Sequence, residues 1–221
     1  MKNYLVILLI LSNCSLLGQT WIDVSFKAGI GPDLLVNLNV LEDVDVAHEF
    51  SVGNTLAGKF GVNFGDIHSI NIEAASTRFR QQFDFRGEGL LGGQKMDFRA
   101  TDFSLLYRKL YDGRYLEIGP TISTTKEESI NSPTFGGIFG FGRTIAGSDK
   151  VAINVGGRFR YIFTDILDKL NGSESLYFSK AYAEYKSSNP LSFMLMVEVD
   201  WAIGVFGRSN CYARRLRFVT F

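Results

Sequence analysis

From Phe193 to Phe206 the chain alternates between two kinds of position. Phe193, Leu195, Val197, Val199, Trp201, Ile203 and Val205 are apolar, while Met194, Met196, Glu198, Asp200, Ala202 and Gly204 fall between them. Successive side chains of a strand point to opposite faces, so this spacing predicts one continuous apolar face and a second face carrying two carboxylates. A membrane helix is a poor fit, because both acids would lie at mid-bilayer depth. The stretch is long for a soluble strand, typically about five or six residues, and suits a tilted bilayer crossing of about nine to eleven.

Seven more stretches alternate in the same way: Trp21–Ile30, Phe50–Phe64, Ile67–Phe85, Met96–Leu110, Arg114–Thr124, Pro133–Ala146 and Lys150–Asp165. In the first, Ile22, Val24, Phe26, Ala28 and Ile30 oppose Asp23, Ser25 and Lys27; in the seventh, Val151, Ile153, Val155, Phe159, Tyr161 and Phe163 oppose Asn154, Arg158 and Arg160. Asp43, Val44, Asp45 and Val46 also alternate, so the second strand is expected to begin before Phe50. In the third stretch Ile70 and Ile72 oppose Asn71 and Glu73, whereas beyond Ala75-Ser76 the apolar residues are Phe79, Phe83 and Phe85 against Arg78 and Arg80. This shift of phase predicts a β-bulge, with a matching change near Thr101-Asp102 in the fourth stretch.

The connections alternate in length. Gly65-Asp66, Tyr111-Asp112-Gly113 and Gly147-Ser148-Asp149 are tight turns; Gly31–Glu49, Arg86–Lys95, Lys126–Ser132 and Ile166–Asn189 are long. Bacterial outer-membrane barrels have even strand numbers, short periplasmic turns and longer external loops. The expected fold is therefore an all-β, antiparallel up-and-down transmembrane β-barrel of eight strands with a periplasmic N-terminus. Leu176–Tyr185 and Tyr212–Phe221 leave ten strands as the alternative, and a soluble β-barrel or sandwich shares the same periodicity. Aromatic residues fall at both strand ends: Phe60, Phe64, Tyr107, Phe139, Phe141 and Trp201 at the turn end, and Phe50, Phe98, Phe135, Phe159, Tyr161 and Phe193 at the loop end. Two such bands are expected at the membrane interfaces.

Composition sharpens this picture. The chain has 221 residues, with 23 Gly and 19 Phe but 4 Pro, which favours strands and turns. Lys+Arg and Asp+Glu both number 23, which argues against a nucleic-acid partner or a polybasic anchor. Mean hydropathy of +0.06 is low for a helical membrane protein and ordinary for a barrel, where alternate residues meet lipid. Lys2, the apolar run Leu5–Leu11 and the small residue Gly18 have the form of a signal peptide over residues 1–18. Residues 19–207 then form the barrel, and 208–221 a basic tail or extra closing strand. Leu11-Ser12-Asn13-Cys14 is the rival, a lipidation site, although Asn is a poor fit before that cysteine. Removal of Cys14 leaves Cys211 alone and excludes an internal disulfide.

Tyr115-Leu116-Glu117-Ile118-Gly119-Pro120 after a strand and turn, then Gly157-Arg158-Phe159-Arg160-Tyr161 followed by Thr164-Asp165-Ile166, resemble the PorT-like outer-membrane β-barrel family. The Lys27-Ala28-Gly29 opening strand and the order of hairpins are similar too. The resemblance implies an outer-membrane location, and one class of such proteins is tied to protein secretion. Members commonly end at the last strand with an aromatic residue, whereas this chain continues from Gly207 to Phe221.

Candidate chemistry lies on the inward faces. Lys27, Lys59, Arg108, Arg158 and Arg160 share them with Glu73, Glu117, Glu198 and Asp200. In a barrel just wide enough for side chains to fill, these are expected to pair into a plug, because buried charges must be compensated. The sharper reading is a narrow ion path. His48 near Asp45 forms a conceivable base and orienting pair but lacks a nucleophile at a diagnostic spacing, and His68 follows a turn. Glu42, Asp43 and Asp45 lack the glycine and closing glutamate of an EF-hand. Gly136-Gly137-Ile138-Phe139-Gly140-Phe141-Gly142 lacks the Lys-Ser/Thr of a phosphate loop and fits strand glycines that relieve crowding. No metal, cofactor or catalytic residue is expected. Tyr177, Phe178, Tyr182 and Tyr185 in the last external loop form a candidate partner surface, and Arg214, Arg215 and Arg217 a basic tail.

The expected role is non-catalytic: a small bacterial outer-membrane barrel with a structural or interaction function, open to a link with secretion. Its partners would be outer-membrane lipid and a protein at the external loops or the tail. A narrow solute or ion channel and a lipid-modifying enzyme at the outer rim are the alternatives.

Overall fold

The computed structural model describes residues 20–43, 46–65, 67–85, 92–127, 130, 132–148, 150–166 and 186–206. Nine strands form one antiparallel sheet: β1 (Thr20–Val36), β2 (Val46–Glu49), β3 (Ser51–Phe64), β4 (His68–Phe85), β5 (Gly92–Tyr111), β6 (Arg114–Thr125), β7 (Thr134–Gly147), β8 (Val151–Ile162) and β9 (Asn189–Phe206). Eight of them close a ring, each pairing with its neighbours in space, with β4 joined to β5 and β1 joined to β9. The short β2 pairs with the outer end of β4, above the part of β4 that pairs with β3. β2 and β3 are therefore successive pieces of one stave, interrupted at exposed Phe50. Both edges of every barrel strand are taken, so the ring has no edge to admit two further staves, and the ten-strand alternative falls. Segments 176–185 and 212–221 lie outside the described residues.

Turn chemistry sets the hairpins. Asp112 and Gly113 both have positive φ, 48° and 68°, as the tightest two-residue hairpin requires, and Gly65 adopts φ 61° in the turn before β4. These turns and the β7–β8 turn share one end of the barrel. The opposite, loop end begins differently from the expected long connection after Ile30. β1 continues to Val36 and leads into a short helix, α1 (Leu38–Glu42). Asn37 caps α1 by accepting hydrogen bonds from Asn39 N (3.0 Å) and Val40 N (3.4 Å).

Alternation is unbroken along β4 and β5. Ser69, Asn71, Glu73, Ala75, Thr77, Phe79, Gln81 and Phe83 all point inward, and the ladders on either side of β4 run without a register shift. No bulge lies at Ala75-Ser76 or Thr101-Asp102. The ladder slips instead near the turn end, between Ile22 and Asp23 on β1 and between Thr144 and Ala146 on β7. What changes beyond Thr77 is the chemistry of the interior, where large apolar side chains replace the charged ones. Phe79, Phe83, Phe98, Leu35, Val40, Val46, Ala100, Ile162 and Ile166 pack into an apolar cluster at the loop end. Phe98 thus belongs to this plug and not to the outer aromatic band.

Outside, the pattern inverts. Ile72 (62% exposed), Leu195 (62%) and Ile203 (66%) stand fully on the surface, within a belt that also carries Phe26, Ile30, Leu105, Ile118 and Phe139. A contiguous apolar girdle of this extent on a closed barrel is the surface of a membrane protein, since a soluble chain rarely exposes patches beyond a few hundred Å². Val197→Arg at the middle of β9 should therefore destabilise the folded barrel in vesicles by about 2–4 kcal/mol, against about 0–1 for Thr101→Arg beyond the belt. Equilibrium urea titration of the two variants measures the difference.

Candidate functional site

Inward-facing positions of seven strands converge on one layer of the lumen. β1 supplies Lys27, β3 Lys59, β4 Glu73, β5 Arg108, β6 Glu117, β8 Arg158, and β9 both Glu198 and Asp200. The backbone register sets Lys27 opposite Glu198, Lys59 opposite Glu73 and Arg108 opposite Glu117, so opposite charges meet across the ladders. The pairs then join across the barrel. Lys27 Nζ lies 2.7 Å from Glu73, 3.3 Å from Glu117 and 4.0 Å from Glu198. Arg158 donates to Glu73 and Glu117, and Arg108 donates to Glu117 and Glu198, each of the latter two at 2.7 Å. Lys59 Nζ bridges Glu198 (2.5 Å) and Asp200 (3.1 Å).

Four cations and four carboxylates make this lattice, and its charges sum to zero. All but Asp200 are almost wholly removed from solvent. A single buried ion would be strongly unfavourable, and removing one partner from a buried pair typically costs about 3–5 kcal/mol. Glu117 meets Lys27, Arg108 and Arg158, and Glu198 meets Lys27, Lys59 and Arg108. Glycines make the lattice possible. Gly140 sits in the ladder between Glu117 and Arg158, where a Cβ would lie 2.7 Å from the Glu117 carboxylate. Gly142 leaves room for the Tyr115 ring, over which the Arg108 guanidinium stacks at 4.1 Å. The glycine run of β7 is thus a packing device.

Tiers of hydrogen bonds flank the lattice. Towards the turn end, Asn63 Nδ2 donates to Asp23 (2.6 Å), Asn154 Nδ2 donates to Asp200 (2.6 Å), and Ser25 bonds to Asp200. Towards the loop end, Arg160 stands apart from the other eight charged residues. Its guanidinium donates to Asp102 and to Ser123 Oγ, both at 2.8 Å, and Asp102 also accepts from Thr77 Oγ1 (2.8 Å). Sequence reasoning missed Asp102. It has the same parity as Ser104 and Arg108 on β5, a signal hidden by the expected change of phase at that point. Beyond this tier, a small cleft opens between Phe98, Ser123, Thr134, Arg160, Ile166 and Pro190, beside the apolar cluster.

Other candidates have structural partners. His48 Nε2 lies 3.3 Å from Val40 O, and its ring meets Phe83 edge-on at 5.3 Å, which ties β2 to α1 and the plug. His68 Nδ1 is 2.6 Å from Tyr107 Oη at the turn end. Glu42 ends α1 and Asp43 is its C-cap; Asp45 lies outside the described residues. Among the described residues no three His, Cys, Asp or Glu side chains are grouped to hold a metal ion. Residues 1–19, the loop residues Tyr177, Phe178, Tyr182 and Tyr185, and residue 207 with the tail 208–221 lie outside the described residues.

Comparison with known proteins adds little. No protein-family model matches the chain, and no curated protein matches it. Among solved structures, the outer membrane protein OprG from Pseudomonas aeruginosa is similar at 16% identity and a TM-score of 0.45, over 86% of this chain and 97% of that one. Neisserial surface protein A, NspA, is similar at 11% identity and a TM-score of 0.46, over 84% of this chain and 99% of that one. At that level no residue role passes from either protein to this one.

Two substitutions separate charge from space in the lattice. Glu117→Gln should destabilise the folded barrel by about 3–5 kcal/mol by leaving buried cations underpaired. Gly140→Ala retains every charge and should lose about 1–3 kcal/mol through crowding. Chemical unfolding in detergent, followed by tryptophan fluorescence, reads both.

Proposed function

We propose that the protein is a small bacterial outer-membrane barrel that does not conduct, and that it serves as a structural or interaction element of that membrane. The observation that carries this reading is the neutral, mutually paired ion lattice across the lumen, sealed at the loop end by the apolar cluster. A pore needs mobile, hydrated ions, whereas here each charge is held by fixed counter-charges in a space filled by side chains. The tight turns at one end and the long connections at the other support a periplasmic turn end and an external loop end. The pattern of residues 1–18 supports export to that membrane.

A non-catalytic role fits the surroundings of His48, whose ring is engaged with Val40 and Phe83. The finer reading, a contribution to protein secretion, rests on the PorT-like resemblance of residues 115–120 and 157–161 and would act through the external loops or the tail. Outer-membrane fractionation and the gel mobility of boiled against unboiled protein test the location. In planar bilayers the purified wild type should give no stepwise conductance. Steady unitary currents that change in Arg158→Gln or Glu198→Gln would establish the channel reading in its place. Lipid turnover lost in His48→Ala would establish the enzyme reading.

A further inference from the structure

β4 and β5 are 18 and 20 residues long, well beyond the nine to eleven or so that a tilted crossing needs. Their paired outer ends therefore continue past the apolar belt at the loop end. On their outward faces Ile72, Leu105 and Phe103 give way to Ser76 and Thr101, and then to charge. Arg78 stands directly opposite Arg99, Arg80 opposite Asp97, and Gln82 opposite Lys95. Asp97 is the shared counter-ion: Arg78 grips it with two hydrogen bonds of 2.7 Å, while Arg80 and Lys95 approach at 3.4 and 3.8 Å. Four cations face one carboxylate on this β4–β5 face, an excess of three charges, which falls to one when Asp84 further out and Glu49, opposite Gln82 on β2, are included.

Like charges directly opposite on a ladder are destabilising; Asp97 compensates Arg78, whereas Arg99 opposite it has no ion-pair partner among the described residues and is left for an anion from outside the chain. Among the described residues, the outward faces of β7 and β8 at the loop end carry exposed Phe135 and Phe159, with exposed Phe163 just beyond β8. The basic face is thus one-sided, at headgroup height and continuous with the lipid-facing belt. Guanidinium groups match phosphate oxygens in a planar fork.

We propose that Arg78, Arg80, Lys95 and Arg99 dock the phosphorylated headgroup of an outer-leaflet glycolipid whose acyl chains lie along Ile72, Leu105 and Phe103. The assignment rests on the outer-membrane reading given above. The Arg80→Gln/Lys95→Gln/Arg99→Gln variant tests it while keeping the Arg78–Asp97 pair. Full-length protein in uncharged detergent is titrated with diphosphorylated lipid A and with its dephosphorylated form, and bound lipid is counted by native mass spectrometry. Wild type should prefer the phosphorylated lipid about tenfold or more, and the triple variant should lose that preference, because several charge-assisted hydrogen bonds disappear. Asp97→Asn, which adds one positive charge to the face, should bind the phosphorylated lipid more tightly than wild type. Equal retention of both lipids by wild type and triple variant, or no gain in Asp97→Asn, would overturn the proposal. Displacement of the lipid by millimolar inorganic phosphate would overturn it too, by marking a site for the free anion. The boiled-against-unboiled mobility shift of each protein separates the two readings. If it persists while lipid preference is absent, only the lipid site fails; if wild type lacks it, the membrane reading fails as well.

Discussion

Closure of the backbone hydrogen-bond ring is the constraint on which everything else in this molecule depends. In hydrocarbon no N–H or C=O group can be left to water, so a sheet survives there only if its first and last strands meet. β1 and β9 do so along most of their lengths, from Thr20 opposite Phe206 to Val36 opposite Asn189. Once the ring is closed, each strand has one face for lipid and one for the lumen, and period two sorts the side chains between them. Leu195 and Val197 are driven outward by the same geometry that turns Glu198 inward.

An inward charge in a narrow barrel has little water to meet, so it must meet another charge. The lattice answers this with opposite signs on facing strands, and with Gly140 and Gly142 placed where a side chain would obstruct Glu117 or Tyr115. Such a lattice contributes modestly to net stability, since desolvation offsets most of the attraction. Its stronger effect is on register. A slip of one residue along any strand would turn its lumenal charge into lipid and its apolar row into the lumen. Above the lattice the interior becomes apolar, where Val40 of α1 and Phe79, Phe83 and Phe98 pack together. There the exterior of β4 and β5 meets water or headgroups, and the strands become inside-out relative to their lower halves.

That inversion explains what was and was not legible in the sequence. Eight staves, the positions of the tight turns and the inward parity of residues such as Lys27, Glu117 and Glu198 follow from alternation alone, because one rule holds throughout the bilayer. The outer part of β4 and β5 was misread because the same rule was applied beyond the bilayer. There Phe79, Phe83 and Phe98 turn inward while Arg78 and Arg80 stand outside, so an unbroken alternation mimics the phase shift of a bulge. Apolar periodicity identifies which residues share a face but not whether that face looks at lipid or at a core. Asp102 was lost to the same misreading. α1 was illegible for a different reason: five residues are too few for a helical period, and Asn37 was its one local signal.

The most direct test of this account is a nitroxide scan along residues 191–203 of β9 in reconstituted vesicles, with collision rates measured for oxygen and for a water-soluble relaxant. The account predicts a period of two, with labels at Leu195, Val197 and Val199 open to oxygen and shielded from the aqueous reagent, and labels at Met196 and Glu198 shielded from both. Labels at the odd positions that collide freely with the aqueous reagent would contradict it, because the apolar face would then not lie against lipid.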